Sequence, residues 1–324
     1  MNPLAVRVAS NKESMLIRSI KGWEIAEREA TPESAYWNRR QLLKAAGFLG
    51  VEGLIAQAAG EKGPYPAKRN ETFQLDRPIT EEWAATGYNN YYEFHPTDKE
   101  RAKDNTGRFV TRPWTIEVGG LVNKPKTYDL DDLLKRMPFE ERLYRFRCVE
   151  RWAMAVPWTG FPMAALLKEV EPKAEAKFVR FVTVNRPEHM PGMKMAPWYP
   201  WPYFEGLRLD EAMNPLAMFV TGIYGKPLPA QNGAPFRVIT PWKYGYKSPK
   251  SIVKIELTAK QPATFWNQLQ PSEYGFYSNV NPKRPHPRWS QEIEQLIPNG
   301  PKVQTQLYNG YGEFVASLYN GKEF

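Results

Sequence analysis

The chain's single cysteine, Cys148, sits in the run Tyr144-Arg145-Phe146-Arg147-Cys148-Val149-Glu150-Arg151-Trp152. A lone cysteine can serve as a small apolar core residue. Here Arg145, Arg147 and Arg151 flank it, and nearby cations lower a thiol's pKa and favour the thiolate. A thiolate in basic surroundings is either a nucleophile or a ligand for a soft metal. A nucleophile wants a base at hand, and none of the three histidines (His95, His189, His286) is close in sequence. That tilts the reading toward a ligand, with the nucleophile open until folding is considered. Glu150 points to the same side as Cys148 if the segment is extended. It is expected either to serve that site or to pair with Arg147 or Arg151. One cysteine excludes an internal disulfide, an iron–sulfur cluster and a multi-cysteine zinc site. No HExxH occurs, which argues against most hydrolytic metal chemistry. His286, between Pro285 and Pro287, reads as structural, and His95 and His189 read as loop positions at the surface.

A second constellation lies downstream: Gln231-Asn232-Gly233-Ala234-Pro235-Phe236-Arg237, then Pro241-Trp242-Lys243-Tyr244-Gly245-Tyr246-Lys247-Ser248-Pro249-Lys250. An amide, an arginine, three lysines and several turn residues fall within twenty positions. Such a set suits an anionic ligand bearing a phosphate, with cations for the charge and loop N–H groups as oriented donors. A solvated basic loop between strands is the alternative from spacing alone.

These runs, together with Tyr88–Phe94 (YNNYYEF), Arg147–Trp158 (RCVERWAMAVPW), Glu273–Pro282 (EYGFYSNVNP) and His286–Gln291 (HPRWSQ), carry a resemblance. In order, from about Thr86 to Asn320, they resemble the periplasmic protein-methionine-sulfoxide reductase catalytic subunits, molybdenum enzymes of the sulfite-oxidase fold family. The resemblance implies a mononuclear molybdenum on the dithiolene of one molybdopterin, with Cys148 as its protein ligand and catalytic thiolate. Sulfur donors suit such a metal, and a single protein ligand leaves positions open for chemistry. By the same likeness Asn89, Tyr92, Glu93, Thr183, Asn232, Arg237, Ser248, Pro249 and Lys250 contact the pterin and its phosphate. Ser248-Pro249 stands where related sequences often carry glycine or other small apolar residues, and the missing N–H of Pro249 removes one potential backbone donor.

The implied activity is reduction of methionine sulfoxide residues in exported proteins by oxygen-atom transfer to molybdenum. The same cofactor acting on sulfite or on small S- and N-oxides is the alternative. No haem-binding CxxCH and no iron–sulfur ligand set is present, so electrons must come from a separate molecule. The family implies a haem-containing membrane subunit for that role.

Several elements must position these residues. Trp114–Val118 alternates apolar and polar, as a half-buried strand does. Leu130, Leu133, Leu134 and Met137 form a helical stripe, with Asp129 as N-cap and Pro138 as stop. Pro162 opens a second helix with Met163, Leu166, Leu167 and Val170 on one face, ended by Pro172. Phe178–Val184, Leu216–Tyr224, Phe236–Thr240 and Ile252–Leu257 read as further strands. Strands outnumber helices without regular alternation, and no GxGxxG or P-loop occurs, which disfavours a doubly wound nucleotide fold. The expectation is α+β: a sulfite-oxidase-type fold of strand-rich mixed sheets with short peripheral helices, forming one catalytic domain over 59–324.

Residues 1–58 read as an address. Arg39-Arg40 precede a short apolar stretch, Ala45 to Ala56, and the small-residue run Ala56-Gln57-Ala58-Ala59-Gly60. This is a twin-arginine export pattern, with cleavage expected near Ala58–Ala59 and a periplasmic destination. The apolar stretch is too short to span a bilayer, and no membrane span is expected in the mature chain. Basic residues exceed acidic ones by 44 to 35, yet no run of five or six like charges and no zinc-finger or RNP pattern appears. Nucleic acid is therefore not expected as a partner. With 42% hydrophobic and 14% aromatic residues, a substantial core is expected.

Overall fold

Continuous apolar runs and alternating ones divide the strands between the centre and the flanks of two sheets. The computed structural model describes residues 64–321, and the export-signal reading of residues 1–58 lies outside them. In chain order the strands begin with β1 (Thr115–Gly120), β2 (Lys126–Asp129), β3 (Glu140–Arg147), β4 (Trp152–Pro162), β5 (Phe178–Thr183) and β6 (Phe204–Arg208). They continue with β7 (Met218–Ile223), β8 (Lys226–Pro227), β9 (Arg237–Ile239), β10 (Ile252–Thr258), β11 (Ile293–Leu296) and β12 (Lys302–Gln304). The helices are short: α1 (Glu82–Gly87), α2 (Leu130–Leu134), α3 (Met163–Val170), α4 (Pro191–Met195), α5 (Leu209–Ala212), α6 (Phe265–Leu269) and α7 (Gly312–Val315).

One sheet runs β2-β1-β10-β5-β6, with β1 and β10 parallel and the other pairs antiparallel. The other runs β12-β11-β4-β7-β8, with β3 added on β4 and β9 on β7. Both parallel and antiparallel pairs occur, so the sheets are mixed, as expected. β1 alternates, burying Ile116 and Val118 and exposing Thr115 and Glu117. β4 does not alternate: β3, β7 and β11 pair along its edges, and its side chains are buried on both faces. Where β4 slips its register against β7, a Cβ on Gly160 would lie 2.0 Å from the Phe219 carbonyl oxygen. No side chain fits that approach.

The expected helix at Leu130 forms, but it ends at Leu134 rather than Met137. The Asp129 carboxylate accepts from the Asp131 and Asp132 amides at 2.9 and 3.2 Å and caps it. Beyond Leu134 the chain folds into tight turns before Pro138, and Met137 packs on the core without helical hydrogen bonds. α3 matches its stripe: Met163, Leu166, Leu167 and Val170 are all fully buried, and Glu171 ends it at φ 54°. The sequence reading places no element on β3 or β4.

Candidate active site

β3 and β4 form a hairpin, and Cys148 lies at its tip. The Cys148 amide donates to the Trp152 carbonyl and the Arg151 amide to the Cys148 carbonyl, both at 3.0 Å, with Arg151 at φ 70°. This tight turn presents Sγ toward a cavity while leaving Cys148 only 7% exposed. The sulfur accepts weakly from the Glu150 amide at 3.4 Å and from Asn90 Nδ2 at 3.5 Å. Three side chains hold the turn from behind. Trp289 Nε1 and Gln291 Nε2 each donate to the Val149 carbonyl at 2.8 Å, and Arg147 Nη1 donates to the Cys148 carbonyl.

The flanking arginines do not face the thiol. Arg145 reaches Asp76 and Gln306, Arg147 pairs with buried Glu294 at 3.0 Å, and Arg151 is exposed. Burial and the Glu150 charge push the thiol up to about 12, against the expectation of a thiolate stabilised by its neighbours. Glu150 pairs with neither Arg147 nor Arg151. Its Oε2 accepts from Asn90 at 3.0 Å, Lys99 at 3.1 Å and Trp152 Nε1 at 3.2 Å. Burial raises the Glu150 pKa, but the Asn90 hydrogen bond and the Lys99 charge outweigh it and hold the carboxyl below its ordinary range. Glu150 therefore faces the cavity as an anion and fixes Asn90 against the sulfur.

Opposite the thiol, the downstream constellation closes the cavity. Gly233, at φ 102°, lets the chain turn so tightly that a Cβ there would lie 2.8 Å from Lys250 Cγ and 3.2 Å from Arg237 Cδ. Arg237 is fully buried on β9 and donates to the Asn232 and Ser248 carbonyls at 2.6 and 3.3 Å. Its guanidinium lies 5.0 Å from the Trp158 ring centroid. Lys250 sits 4.6 Å over the Tyr91 ring and donates to the Asn90 carbonyl. Among the described residues neither cation has a carboxylate within ion-pair distance. Burial lowers Arg237 to about 9, and burial together with the Arg237 charge lowers Lys250. Burial raises the Glu93 carboxyl, so the nearest acid is held toward neutrality. The result is a concentration of positive charge that the protein itself leaves uncompensated.

Asn89, Tyr92, Glu93, Cys148, Asn232, Arg237, Ser248, Pro249 and Lys250 all line this one cavity. Asn232 Nδ2 donates to Ala85 and Asn89, while its buried Oδ1 has no partner. Ser248 Oγ is engaged by the Thr240 amide and the Pro249 carbonyl by the Val238 amide, which leaves the proline ring as wall. Thr183 is not among the lining residues; it ends β5 with a buried, unpartnered hydroxyl. Two of the three lysines also lie elsewhere. Lys243 pairs with Glu211 at 2.5 Å and Lys247 with Glu205 at 2.6 Å, both buried and structural. His95 is buried rather than at the surface and accepts from the Asp98 amide, while His286 stacks on Trp289 at 3.9 Å.

Sequence reasoning did not single out Asn90, Trp152, Tyr203, Tyr246, Trp266 or Tyr274, which also line the cavity. Asn90, Trp152, Tyr246 and Tyr274 lay inside quoted motifs; Tyr203 and Trp266 did not, and Trp266 offered no signal because its role depends on where α6 docks.

Known proteins match this chain closely. Residues 105–266 match the family described as the oxidoreductase molybdopterin-binding domain. The protein-methionine-sulfoxide reductase catalytic subunit MsrP of Burkholderia mallei is 49% identical over 94% of this chain and 96% of its own length. The subunit of the same name from Ralstonia nicotianae is 47% identical over 95% and 98%. The crystal structure of the sulfane dehydrogenase SoxCD from Paracoccus pantotrophus is similar at a TM-score of 0.43 and 16% identity, over 57% of this chain and 47% of that one. With close relatives matched along nearly its whole length and a thiol facing two uncompensated cations across one cavity, the chain belongs to the family of protein-methionine-sulfoxide reductase catalytic subunits, molybdopterin-binding oxidoreductases.

Proposed function

We propose that this chain reduces methionine sulfoxide residues of exported proteins to methionine, with electrons supplied by a separate haem-containing membrane subunit. The overall change takes up two electrons and two protons per sulfoxide and releases the oxygen as water. When bound, the molybdopterin group supplies the two-electron redox couple and a Lewis-acidic metal.

The residues present fit that group. Cys148 Sγ supplies the single soft ligand, and its proton must leave when a metal binds. Arg237 and Lys250 neutralise the phosphate, which in turn relieves their mutual repulsion. The unpartnered Oδ1 of Asn232 and the neighbouring Asn89 address the pterin's polar edge, with Tyr92, Glu93, Ser248 and Pro249 walling it. Thr183 falls outside this set. Trp152, Trp158 and Trp266 restrict water, so the charges inside act at a low dielectric.

The observation that carries the reading is the shared cavity of Cys148, Arg237 and Lys250. Supporting the donor assignment, the sequence has no second redox-centre motif, and no described helix is long and apolar enough to cross a membrane. Replacing Cys148 by Ala tests the reading. Molybdenum content and turnover of an oxidised protein by a reduced dye are both expected to fall at least a hundredfold. Full activity in Cys148→Ala contradicts it. Quinol-driven turnover in membranes lacking any haem subunit contradicts the donor assignment.

A further inference from the structure

A run of aromatic rings leads from the cavity to the surface. Tyr274 and Trp266 line the cavity with centroids 5.3 Å apart, and Trp266 meets Tyr92, also lining, at 5.1 Å. Tyr92 meets Tyr199 at 6.1 Å, and Tyr199 meets Trp198 at 6.0 Å. Exposure rises along the run. Tyr274 is 8% exposed, Trp266, Tyr92 and Tyr199 are half-buried, and Trp198 is 70% exposed. Met195, which ends α4 just before the turn that carries Trp198, is 48% exposed.

The segment bearing these rings is held in place. A Cβ on Gly192 would lie 2.1 Å from the Tyr92 carbonyl oxygen, so α4 rests directly on the cavity-lining backbone. Trp201 Nε1 donates to the Ala196 carbonyl at 2.9 Å, and Tyr203 OH donates to the Tyr246 carbonyl at 2.7 Å. Pro197, Pro200 and Pro202 stiffen what lies between. Folding the chain does not require an indole 70% in water, and this one sits on a rigid strap whose Tyr199 packs against the cavity-lining rings of Tyr92 and Trp266.

We propose that Trp198, with Met195 and Tyr199, binds the polypeptide on one side of the oxidised methionine. This inference rests on the functional reading above and specifies how its substrate is held. A methionine sulfoxide within a protein brings chain on both sides, and that chain must lie outside the cavity. Each ring-to-ring step of about 6 Å spans roughly two residues of extended backbone. Trp198 therefore meets side chains about three or four residues from the oxidised one. The surface is apolar and aromatic, so it selects a locally unfolded segment with apolar flanks, where a flat ring gains contact area at little entropic cost.

The test compares two substrates on the loaded enzyme with a dye donor. One is N-acetyl-methionine-sulfoxide amide; the other is an unstructured nonapeptide with a central methionine sulfoxide and leucines three and four residues away. Trp198→Ala is expected to raise KM for the nonapeptide about tenfold, equivalent to about 1.4 kcal/mol. Its kcat should be unchanged, as should both constants for the amide. Trp198→Phe should restore most of the affinity. Trp83→Ala, an exposed tryptophan outside the ring run, should change neither substrate. Equal effects on both substrates, or none on the nonapeptide, would overturn the inference while leaving the functional reading intact. If the wild-type enzyme turns over neither sulfoxide, the functional reading fails and takes this inference with it.

Discussion

Lys250 is an enclosed ammonium whose burial and whose neighbour Arg237 both disfavour its charge, against a Glu93 held toward neutrality. A cation whose folded-state pKa is depressed costs stability below its unfolded value, and the cost fades as pH rises toward that value. Lys250→Met should therefore raise the melting temperature of the cofactor-free protein at pH 7 by roughly 2–4 °C, or about 1 kcal/mol. The gain should shrink as pH approaches about 10, near the ordinary lysine pKa. The same substitution should release pterin from the loaded enzyme. Calorimetry across that pH range checks the first effect, and a gain that does not vary with pH would contradict it. The motif residues were legible as a set because they are short-range in sequence. Their directions were not. Arg147 turns to Glu294, and Lys243 and Lys247 turn to Glu211 and Glu205. Those carboxylates lie 32 to 147 positions away, and no local spacing announces them.

The turn between β3 and β4 shows how elements add what residues cannot. Its four positions, Cys148 to Arg151, carry the thiol, yet the His286–Gln291 motif fixes them through the Val149 carbonyl. Trp289→Phe keeps a ring to stack on His286 while deleting one of the two donors. It should cost about 1 kcal/mol, the usual net worth of one such hydrogen bond. Loosening of the thiol should also lower molybdenum occupancy; denaturant unfolding and metal analysis together read both effects. Unchanged occupancy and stability would show that Gln291 suffices. Amphipathic elements such as α3, β1 and β10 were legible because one face meets the core and one meets water. β4 was not: like β7 it is covered on both faces, but Pro157, Thr159 and Gly160 interrupt the continuous apolar run that made β7 legible.

At the scale of the whole molecule, segments from residues 89–93, 146–158, 232–237 and 245–250, with Tyr203, Phe265, Trp266 and Tyr274, enclose one space, and β3, β4 and β9 of one sheet supply its strand residues. Net basic charge spread over the sequence does not locate an anion site; the local excess of Arg237 and Lys250 over ionised acid does. The central claim, that Cys148 is the protein's ligand to molybdenum, is tested most directly by X-ray absorption at the molybdenum edge. Wild-type enzyme and a Cys148→Ser variant, loaded under conditions that force occupancy, should differ by one sulfur neighbour, three falling to two. An identical sulfur shell in both would contradict the account.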